Sequence, residues 1–157
     1  MTRERFIQLI EQEQEGLMKY LLAMCHGNYA DAEDLAQETA LKAYLSYQGF
    51  VEHFKFSTWL YRIAYNSFID FQRKHQIITQ PLGEIDISNE DRDQERIDKL
   101  YKAIEDLPVN EKTAMLLFYF EDMKVLDIAM VMRKPPGTIK SYLNRGRNHL
   151  KIKLEHE

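Results

Sequence analysis

The sequence predicts an all-α protein made of two small helical domains joined by a flexible linker. Apolar residues recur at spacings of three and four through most of the 157 residues. Only six glycines and four prolines are present, too few for the many tight turns of a β architecture. A polar stretch without a sustained period separates two helical blocks. We therefore place the domains at residues 1–76 and 96–157, with the linker at 77–95.

Four helices are predicted in the first block. The first two have apolar residues on one side, and Gly27–Asn28 ends the second. Asp31 is a suitable N-cap for the third, because its carboxylate can accept a hydrogen bond from an otherwise unpaired backbone N–H. A fourth helix follows Gln48–Gly49. The predicted bounds are about 2–13, 15–26, 31–47 and 57–75.

Acidic residues dominate the linker, and residues 84–98 hold seven acids against two arginines. This composition is typical of a disordered segment, so proteases should cut first between about residues 78 and 95. Helices resume near Arg96 and are interrupted at Leu107–Pro108 and Glu121–Asp122.

The last third of the chain has the pattern of a helix-turn-helix. A short apolar helix from Val125 is followed by Pro135–Pro136, which suit a turn and a first helical position. From Thr138 a second helix carries one apolar stripe that is expected to be buried. That stripe consists of Ile139, Tyr142, Leu143, Gly146 and Leu150.

Positive charge is concentrated on this last helix. Residues 133–153 contain seven Lys or Arg and no acid, whereas the whole chain has 21 basic and 25 acidic residues and a net charge of −4. We expect the helix to bind a polyanion, and its width suits the major groove of duplex DNA. The alternative is a solvated amphipathic helix without a ligand. The candidate DNA-binding residues are Lys140, Ser141, Asn144, Arg145 and Arg147.

Two faces of different character lie on the helix predicted over 57–75. One is expected to enter the core through Leu60, Ile63, Ala64, Phe68 and Phe71. The other face combines aromatic rings, amides and cations, a mixture that can bind single-stranded nucleic acid. Aromatic rings on helices more often pack in the core, so the residues alone favour a packing role for this face. The loop at 50–56 could form a pocket for a flipped base. The candidates are Trp59, Arg62, Asn66, Arg73 and Lys74, with Tyr61 and Tyr65 nearby.

Carboxylates on the third helix raise the question of a metal site. Asp31, Asp34 and Glu38 share a face, but none of the five histidines follows a Glu by three positions, as a di-metal bundle site requires. Favourable charge at the helix start explains Asp31 and Asp34, leaving Gln37 and Glu38 free to contact a basic partner. No catalytic motif occurs, and we expect no cofactor, no metal and no enzymatic activity.

The cellular setting follows from cysteine use and hydropathy. Cys25 is the sole cysteine, which excludes an intrachain disulfide and indicates a reducing, cytoplasmic environment. The Cys25–His26 pair is expected to be a structural pair within a helix. No apolar run is long enough to span a membrane, and the N-terminus lacks a signal-peptide core, so we expect no membrane insertion.

Taken in order, these segments resemble the bacterial extracytoplasmic-function sigma factors of the sigma-70 superfamily. The resemblance covers nearly the whole chain, and the ordered set is far more specific than any single segment. It implies two helical domains, called sigma-2 and sigma-4, that bind core RNA polymerase and direct it to promoters. The matching segments are 31–44, 56–66 with Asp70 and Arg73–Lys74, 107–112, 127–129 and 137–147.

The resemblance also implies roles for individual residues. It assigns Asp31, Asp34, Gln37 and Glu38 to docking on the basic coiled-coil clamp of the largest polymerase subunit. It assigns the helix at 57–75 to capture and melting of the −10 element, which makes single-strand binding the favoured interpretation. It assigns the last helix to the −35 duplex. Promoter DNA, duplex and single-stranded, is thus an implied partner, and an anti-sigma factor is a further candidate.

Three departures from the family pattern stand out: Asp127 for Glu, Tyr142 where Arg is frequent, and Gly146 where Ala is common. The last two bear on the promoter contacts, and a mid-helix glycine costs up to roughly 1 kcal/mol unless close packing needs it. A stand-alone helix-turn-helix regulator is the alternative function, but it leaves the Asp31–Glu38 face unexplained. A third candidate function is that of a helical metalloenzyme acting on nucleic acid.

Overall fold

The computed structural model describes residues 1–50, 55–75 and 92–155. Within those ranges the chain forms seven α-helices and one 3-10 turn, and no strand occurs there. The predicted all-α class is therefore confirmed. In chain order the helices are α1 (Arg3–Met24), α2 (Tyr29–Ser46), α3 (Phe56–Lys74), α4 (Arg92–Glu105), α5 (Val109–Tyr119), α6 (Val125–Met132) and α7 (Pro136–Glu155), with the 3-10 turn at Tyr47–Gly49.

Helix α1 is continuous, so the predicted break between Glu13 and Glu15 is wrong. The polar run there lies on the exposed side of one long helix, and the buried stripe continues past it through Leu17 and Tyr20. Thr2 caps the helix by accepting a hydrogen bond from the backbone N–H of Arg5 at 3.2 Å. A polar stretch ends a helix only if it interrupts the apolar stripe.

Helix α2 begins two residues before the predicted cap. Asn28, not Asp31, is the N-cap, and its side-chain oxygen accepts from the backbone N–H of Asp31 at 3.1 Å. Asp31 lies in the first turn, where negative charge is favourable. Helix α1 ends before the pair Cys25–His26, because His26 and Gly27 adopt left-handed conformations with φ of 53° and 79°. The placement of that pair inside a helix is therefore wrong.

The C-terminal helices start and stop close to the predicted points. Helix α4 begins at Arg92, four residues before Arg96, and α5 begins directly after Pro108. The turns that follow α5 and α6 contain Asp122 and Arg133, whose backbones are left-handed, with φ of 53° and 55°. Helix α7 begins at Pro136, whose missing N–H is unpaired at a helix start in any case.

Helices α1, α2 and α3 pack as one bundle, and α4 to α7 pack as a second. The two bundles also pack on each other, because α3 contacts α6 and α1 contacts α4 and α5. Buried residues of both bundles consequently form one continuous core. Most of the predicted linker at 77–95 lies outside the described residues, while Arg92–Glu95 form the first turn of α4. The division at 1–76 and 96–157 stays a prediction.

Candidate functional site

An exposed stripe runs along α2. Asp34, Gln37 and Glu38 are exposed, as predicted, and Asp31 is partly exposed at the N-terminal end of the same face. Two residues that sequence reasoning missed extend this stripe, because Leu41 and Leu45 are 59% and 75% exposed. Leu41 lies three positions after Glu38 and Leu45 four after Leu41, and this helical spacing was the signal that could have found them. We name these six residues (Asp31, Asp34, Gln37, Glu38, Leu41, Leu45) the α2 face.

Glu38 is held in place by a chain of contacts. The Nζ of Lys42 lies 2.9 Å from Oε1 of Glu38 and donates to Oγ of Ser67 at 3.0 Å. Ser67 is a buried residue of α3, so the core of the bundle anchors the cation that pairs with Glu38. An exposed pair of this kind contributes little to stability, but it fixes the direction of the carboxylate.

The predicted aromatic and cationic residues of α3 occupy one side of that helix. Trp59 is half-buried, with its ring centroid 5.4 Å from that of Phe50 and 5.5 Å from that of Phe56. Arg62 and Asn66 are also half-buried, whereas Arg73 and Lys74 are exposed in the last turn. Three of the five candidates therefore lie between the core and the surface, and the other two lie at the surface.

Two tyrosines of α3 belong to the core. Tyr61 is 0% exposed and Tyr65 is 8% exposed, so their placement beside the binding residues needs correction. They join the predicted core residues Leu60, Ala64 and Phe68, which are fully buried. The other two predicted core residues, Ile63 and Phe71, are only partly buried. Of the loop proposed as a base pocket, residues 51–54 lie outside the described residues.

Helix α7 presents all five predicted residues to the surface: Lys140, Ser141, Asn144, Arg145 and Arg147 are exposed. Arg147 donates from Nη2 to Oδ1 of Asn144 at 2.7 Å and from Nη1 to the hydroxyl oxygen of Tyr119 at 3.2 Å. The Cζ atom of Arg145 lies 5.3 Å from the ring centroid of Tyr142. Contacts with Asn144, Tyr119 and Tyr142 therefore hold the side chains of Arg147 and Arg145 in place on this face.

Packing explains the departures at Tyr142 and Gly146. Tyr142 is 9% exposed and belongs to the core, so it is not a surface contact. At Gly146 a Cβ would lie 2.8 Å from Cγ of Met115, because α7 and α5 approach closely there. Gly146 is thus a residue whose cost in helix propensity is offset by close packing. Of the predicted stripe on α7, only Leu150 is not fully buried.

Asp127, the third departure, caps α6. Its Oδ2 accepts from the backbone N–H of Lys124 at 3.2 Å and lies 3.6 Å from Nζ of Lys55, next to the start of α3. Asp127 therefore satisfies a backbone donor at the start of α6.

An apolar groove of about 440 Å³ opens between α4, α5 and α7. Leu100, Ile104, Met115 and Leu150 line it, and Arg147 and Lys151 lie at its edge. Sequence reasoning missed the groove, because it depends on how three helices meet and not on the pattern of any one of them.

The metal hypothesis gains no support from the residues that the structure describes, where no group of three or more His, Cys, Asp or Glu could hold an ion. In the same part of the chain, no helix is long and apolar enough to cross a membrane.

Comparison with known families matches both halves of the chain. Residues 9–77 match Sigma-70 region 2, and residues 97–150 match Sigma-70 region 4. The first match contains α2 and α3, and the second contains the helix-turn-helix. The fold and its exposed faces are therefore those of a sigma-70-type factor, and a stand-alone helix-turn-helix regulator is not favoured.

Curated relatives narrow the class. The chain is 32% identical to the ECF RNA polymerase sigma factor SigW of Bacillus subtilis (strain 168), over 82% of this chain and 78% of SigW. It is 30% identical to SigM of the same organism, over 85% of each chain. The chain belongs to the extracytoplasmic-function (ECF) RNA polymerase sigma factors, and it is a transcription initiation factor that directs RNA polymerase to promoters.

Solved structures agree on the fold. The sigma factor RpoE in complex with the anti-sigma factor NepR from Bartonella quintana gives a TM-score of 0.84 at 23% identity, over 97% of this chain and 98% of that one. CnrH in complex with the cytosolic domain of CnrY gives 0.74 at 18% identity, over 99% and 91%. Both likenesses span the two bundles together.

Proposed function

We propose that three exposed helix faces divide the work of initiation. The α2 face docks on core polymerase, the polar side of α3 captures the melted −10 element, and the cationic side of α7 binds the −35 duplex. One observation supports this division: all three faces are exposed or half-exposed. They also follow one another along the chain in the same order as the matching segments of the family.

The α2 face suits a basic protein partner with an apolar component. Three acidic residues (Asp31, Asp34, Glu38) supply charge that steers association, and Leu41 and Leu45 supply apolar area that becomes buried on binding. Because both leucines are mostly exposed in the free chain, covering them gives a favourable free energy that an acidic patch alone would lack.

The side of α3 suits unpaired bases. The indole of Trp59 is held by Phe50 and Phe56 but remains partly open, so a base can stack on it without a large rearrangement. Arg73 and Lys74 lie in the last turn of α3, where they can meet the phosphates of the same strand.

Helix α7 suits the major groove. Ile139, Leu143 and Gly146 fix its buried side against the bundle, which leaves Lys140, Ser141, Asn144 and Arg145 on the opposite side. Arg and Asn read base edges by paired hydrogen bonds, and Lys contributes phosphate contacts.

Further properties follow from the family. We propose a cytoplasmic location and no catalytic activity. We also propose an anti-sigma factor as a regulator, since two solved structures of similar fold are complexes of that kind.

Run-off transcription with core polymerase tests the function. Transcripts from a matched promoter should appear only when the chain is added. A double Asp34→Lys and Glu38→Lys variant should weaken core-polymerase binding by about 1–3 kcal/mol for a desolvated charge pair. The control is Glu11→Lys with Glu15→Lys, which makes the same change of charge on exposed positions of α1. Equal affinities for the two double variants would refute docking through the α2 face.

A further inference from the structure

A cleft of about 370 Å³ opens where α1, α4 and the segment that follows α5 meet. None of its lining residues belongs to the three faces assigned above to polymerase and DNA. Its wall combines carboxylates, two aromatic rings and one glycine. The cleft is about tenfold larger than the roughly 30 Å³ that one water molecule occupies in the liquid, so a small organic molecule fits inside it.

Negative charge dominates this cleft. Glu13, Glu15 and Glu121 line it together with a single cation, Lys19, whose Nζ lies 3.4 Å from Oε1 of Glu15. Burial raises the pKa of both Glu13 and Glu121. For Glu121 the nearby Tyr61 hydroxyl counteracts this rise, and the charge of Glu13 adds to it. Three carboxylates and one ammonium leave the lining with a net charge of −2, which a dication would neutralise.

Two aromatic rings complete the wall. The ring centroids of Tyr101 and Phe120 lie 4.1 Å apart, and the ring planes are tilted by 37°. Burial, and then the charge of Glu121, raise the pKa of Tyr101 to about 12, so its phenol is neutral at neutral pH. Aromatic rings attract cations and also cover methylene groups. Because the glutamates of the cleft do not form a group that could hold a metal ion, carboxylates beside rings favour an organic cation.

Gly16 leaves two polar groups facing the same space in this wall. A Cβ on Gly16 would lie 2.8 Å from Oε1 of Glu121 and 3.0 Å from the hydroxyl oxygen of Tyr61. Tyr61 is 0% exposed, and the described residues offer its hydroxyl no partner with hydrogen-bond geometry. Burial, and then the charge of Glu121, raise the pKa of Tyr61, so this hydroxyl is neutral as well. A buried hydroxyl without a partner is unfavourable, and a ligand that donates to its oxygen removes that cost.

We propose that this cleft is a binding site for an aliphatic diamine, whose ammonium groups pair with Glu13 and Glu121 and whose methylenes lie against Tyr101 and Phe120. The ammonium at Glu121 also donates to the hydroxyl oxygen of Tyr61. The site lies outside the three faces proposed for initiation and therefore adds a function to them. Its lining comes from three separate elements, so the site exists only in the folded chain and the ligand stabilises that fold.

Titration of the ¹⁵N-labelled full chain with 1,4-diaminobutane, followed by ¹H–¹⁵N NMR, tests the site. At about 0.15 M salt, attraction between exposed charges extends only about 8 Å, which suppresses general attraction of amines to an acidic chain. The largest shifts should occur at the amides of Gly16 and Glu121, with a Kd on the order of 0.1–1 mM for a ligand of about six heavy atoms.

Two other cations test the class of ligand. Butylamine has the same number of methylenes plus one methyl group but a single charge, and it should bind about tenfold more weakly because one ion pair is missing. Magnesium chloride supplies a double charge without methylenes, and it should leave the amides of Gly16 and Glu121 unshifted.

Variants test the location. Glu13→Gln and Glu121→Gln each remove one charge at constant size and should raise the Kd about tenfold. Glu11→Gln removes the same charge from an exposed position of α1 outside the cleft, and it should bind like wild type. Gly16→Ala fills the space beside Glu121 and should also raise the Kd about tenfold. Gly49→Ala adds the same methyl group where nothing lies within 4 Å, and it should not change the Kd.

Tyr61→Phe separates ligand binding from packing. It removes a buried hydroxyl without a partner, so the free chain should unfold at the same temperature as wild type or higher. The Kd should rise about threefold to tenfold for the loss of one hydrogen bond. A hydroxyl that served packing alone would instead lower the unfolding temperature and leave the Kd unchanged.

Four results would overturn the proposal. The first is the absence of a saturable shift at Gly16 and Glu121, and the second is equal affinity for butylamine and 1,4-diaminobutane. The third is an equal loss of affinity in Glu11→Gln and Glu121→Gln, which indicates general attraction to an acidic chain. The fourth is a magnesium-induced shift of the same amides, which indicates a metal site. The amide spectrum shows whether each variant is folded, so an unfolded Gly16→Ala leaves the two glutamate variants decisive. Neither polymerase nor DNA enters this test, and its outcome is independent of the proposed function.

Discussion

Helices α3 and α7 are both proposed to bind DNA, yet they present their side chains in different ways. On α7 all five candidates are exposed. On α3 three of the five candidates are half-buried, and one of them, Trp59, packs on two phenylalanine rings of the core side. A duplex is read from outside by groups that stand free of the core. An unpaired base needs a ring that is rigidly held, and the core supplies that rigidity.

The largest difference should appear in Trp59→Ala. This change removes both a stacking platform and part of the packing around Phe50 and Phe56, so we expect a loss of about 1–3 kcal/mol in the free energy of unfolding. Open-complex formation should fall by a further 1–3 kcal/mol, roughly the value of one stacked base. Denaturant titration and permanganate footprinting measure the two losses. Trp59→Phe, which keeps a ring, should recover most of both.

Arg145→Ala should affect DNA binding alone. Arg145 is exposed, so its loss should change the unfolding free energy by less than about 0.5 kcal/mol, while upstream-element affinity falls by about 1–3 kcal/mol and sequence preference relaxes. A promoter with a pre-melted bubble should rescue Trp59→Ala and leave the upstream defect of Arg145→Ala unrepaired. If the bubble rescues neither variant, or both simply unfold, the contrast between the two helices is wrong.

Gly146 tests the buried side of α7. Gly146→Ala should lower stability by about 1 kcal/mol, because overpacking against Met115 outweighs the gain in helix propensity. Gly137→Ala is the matched control on the same helix, since a Cβ there meets nothing within 4 Å. It should stabilise the protein by about 0.5–1 kcal/mol. Thermal unfolding measures both effects. Midpoint temperatures that shift in opposite directions in the two variants support close packing at Gly146, and a stabilising Gly146→Ala would contradict it.

The helices themselves were largely predictable from sequence, because periodicity marks which side is buried. The sequence misleads where two signals compete. The polar run in α1 resembles a helix break, although the helix continues through it. Asn28 and Asp31 are both suitable N-caps, and it is the side chain of Asn28 that accepts the bond from the backbone N–H of Asp31. Tyr61 and Tyr65, which the sequence places near the candidate binding residues, are buried; their type does not decide this, since a tyrosine suits either environment. Contacts between bundles, such as that of Lys112 with α1, join residues almost ninety positions apart. No local pattern encodes them.

The smallest expected effect concerns how Asn144 is held on α7. Tyr119→Phe removes the hydroxyl that receives one bond from Arg147, the residue that also donates to Asn144. An exposed hydrogen bond is worth about 0.5–1 kcal/mol, so discrimination at the base facing Asn144 should drop only two- to fivefold. The salt dependence of binding should not change, because no charge is lost.

Arg147→Ala provides the contrast: if Arg147 binds phosphate, affinity falls for all sequences and the salt slope decreases by about one. Competition binding with substituted duplexes at two salt concentrations separates these outcomes, and an unaltered base preference in Tyr119→Phe would show that Tyr119 has no part in positioning Asn144.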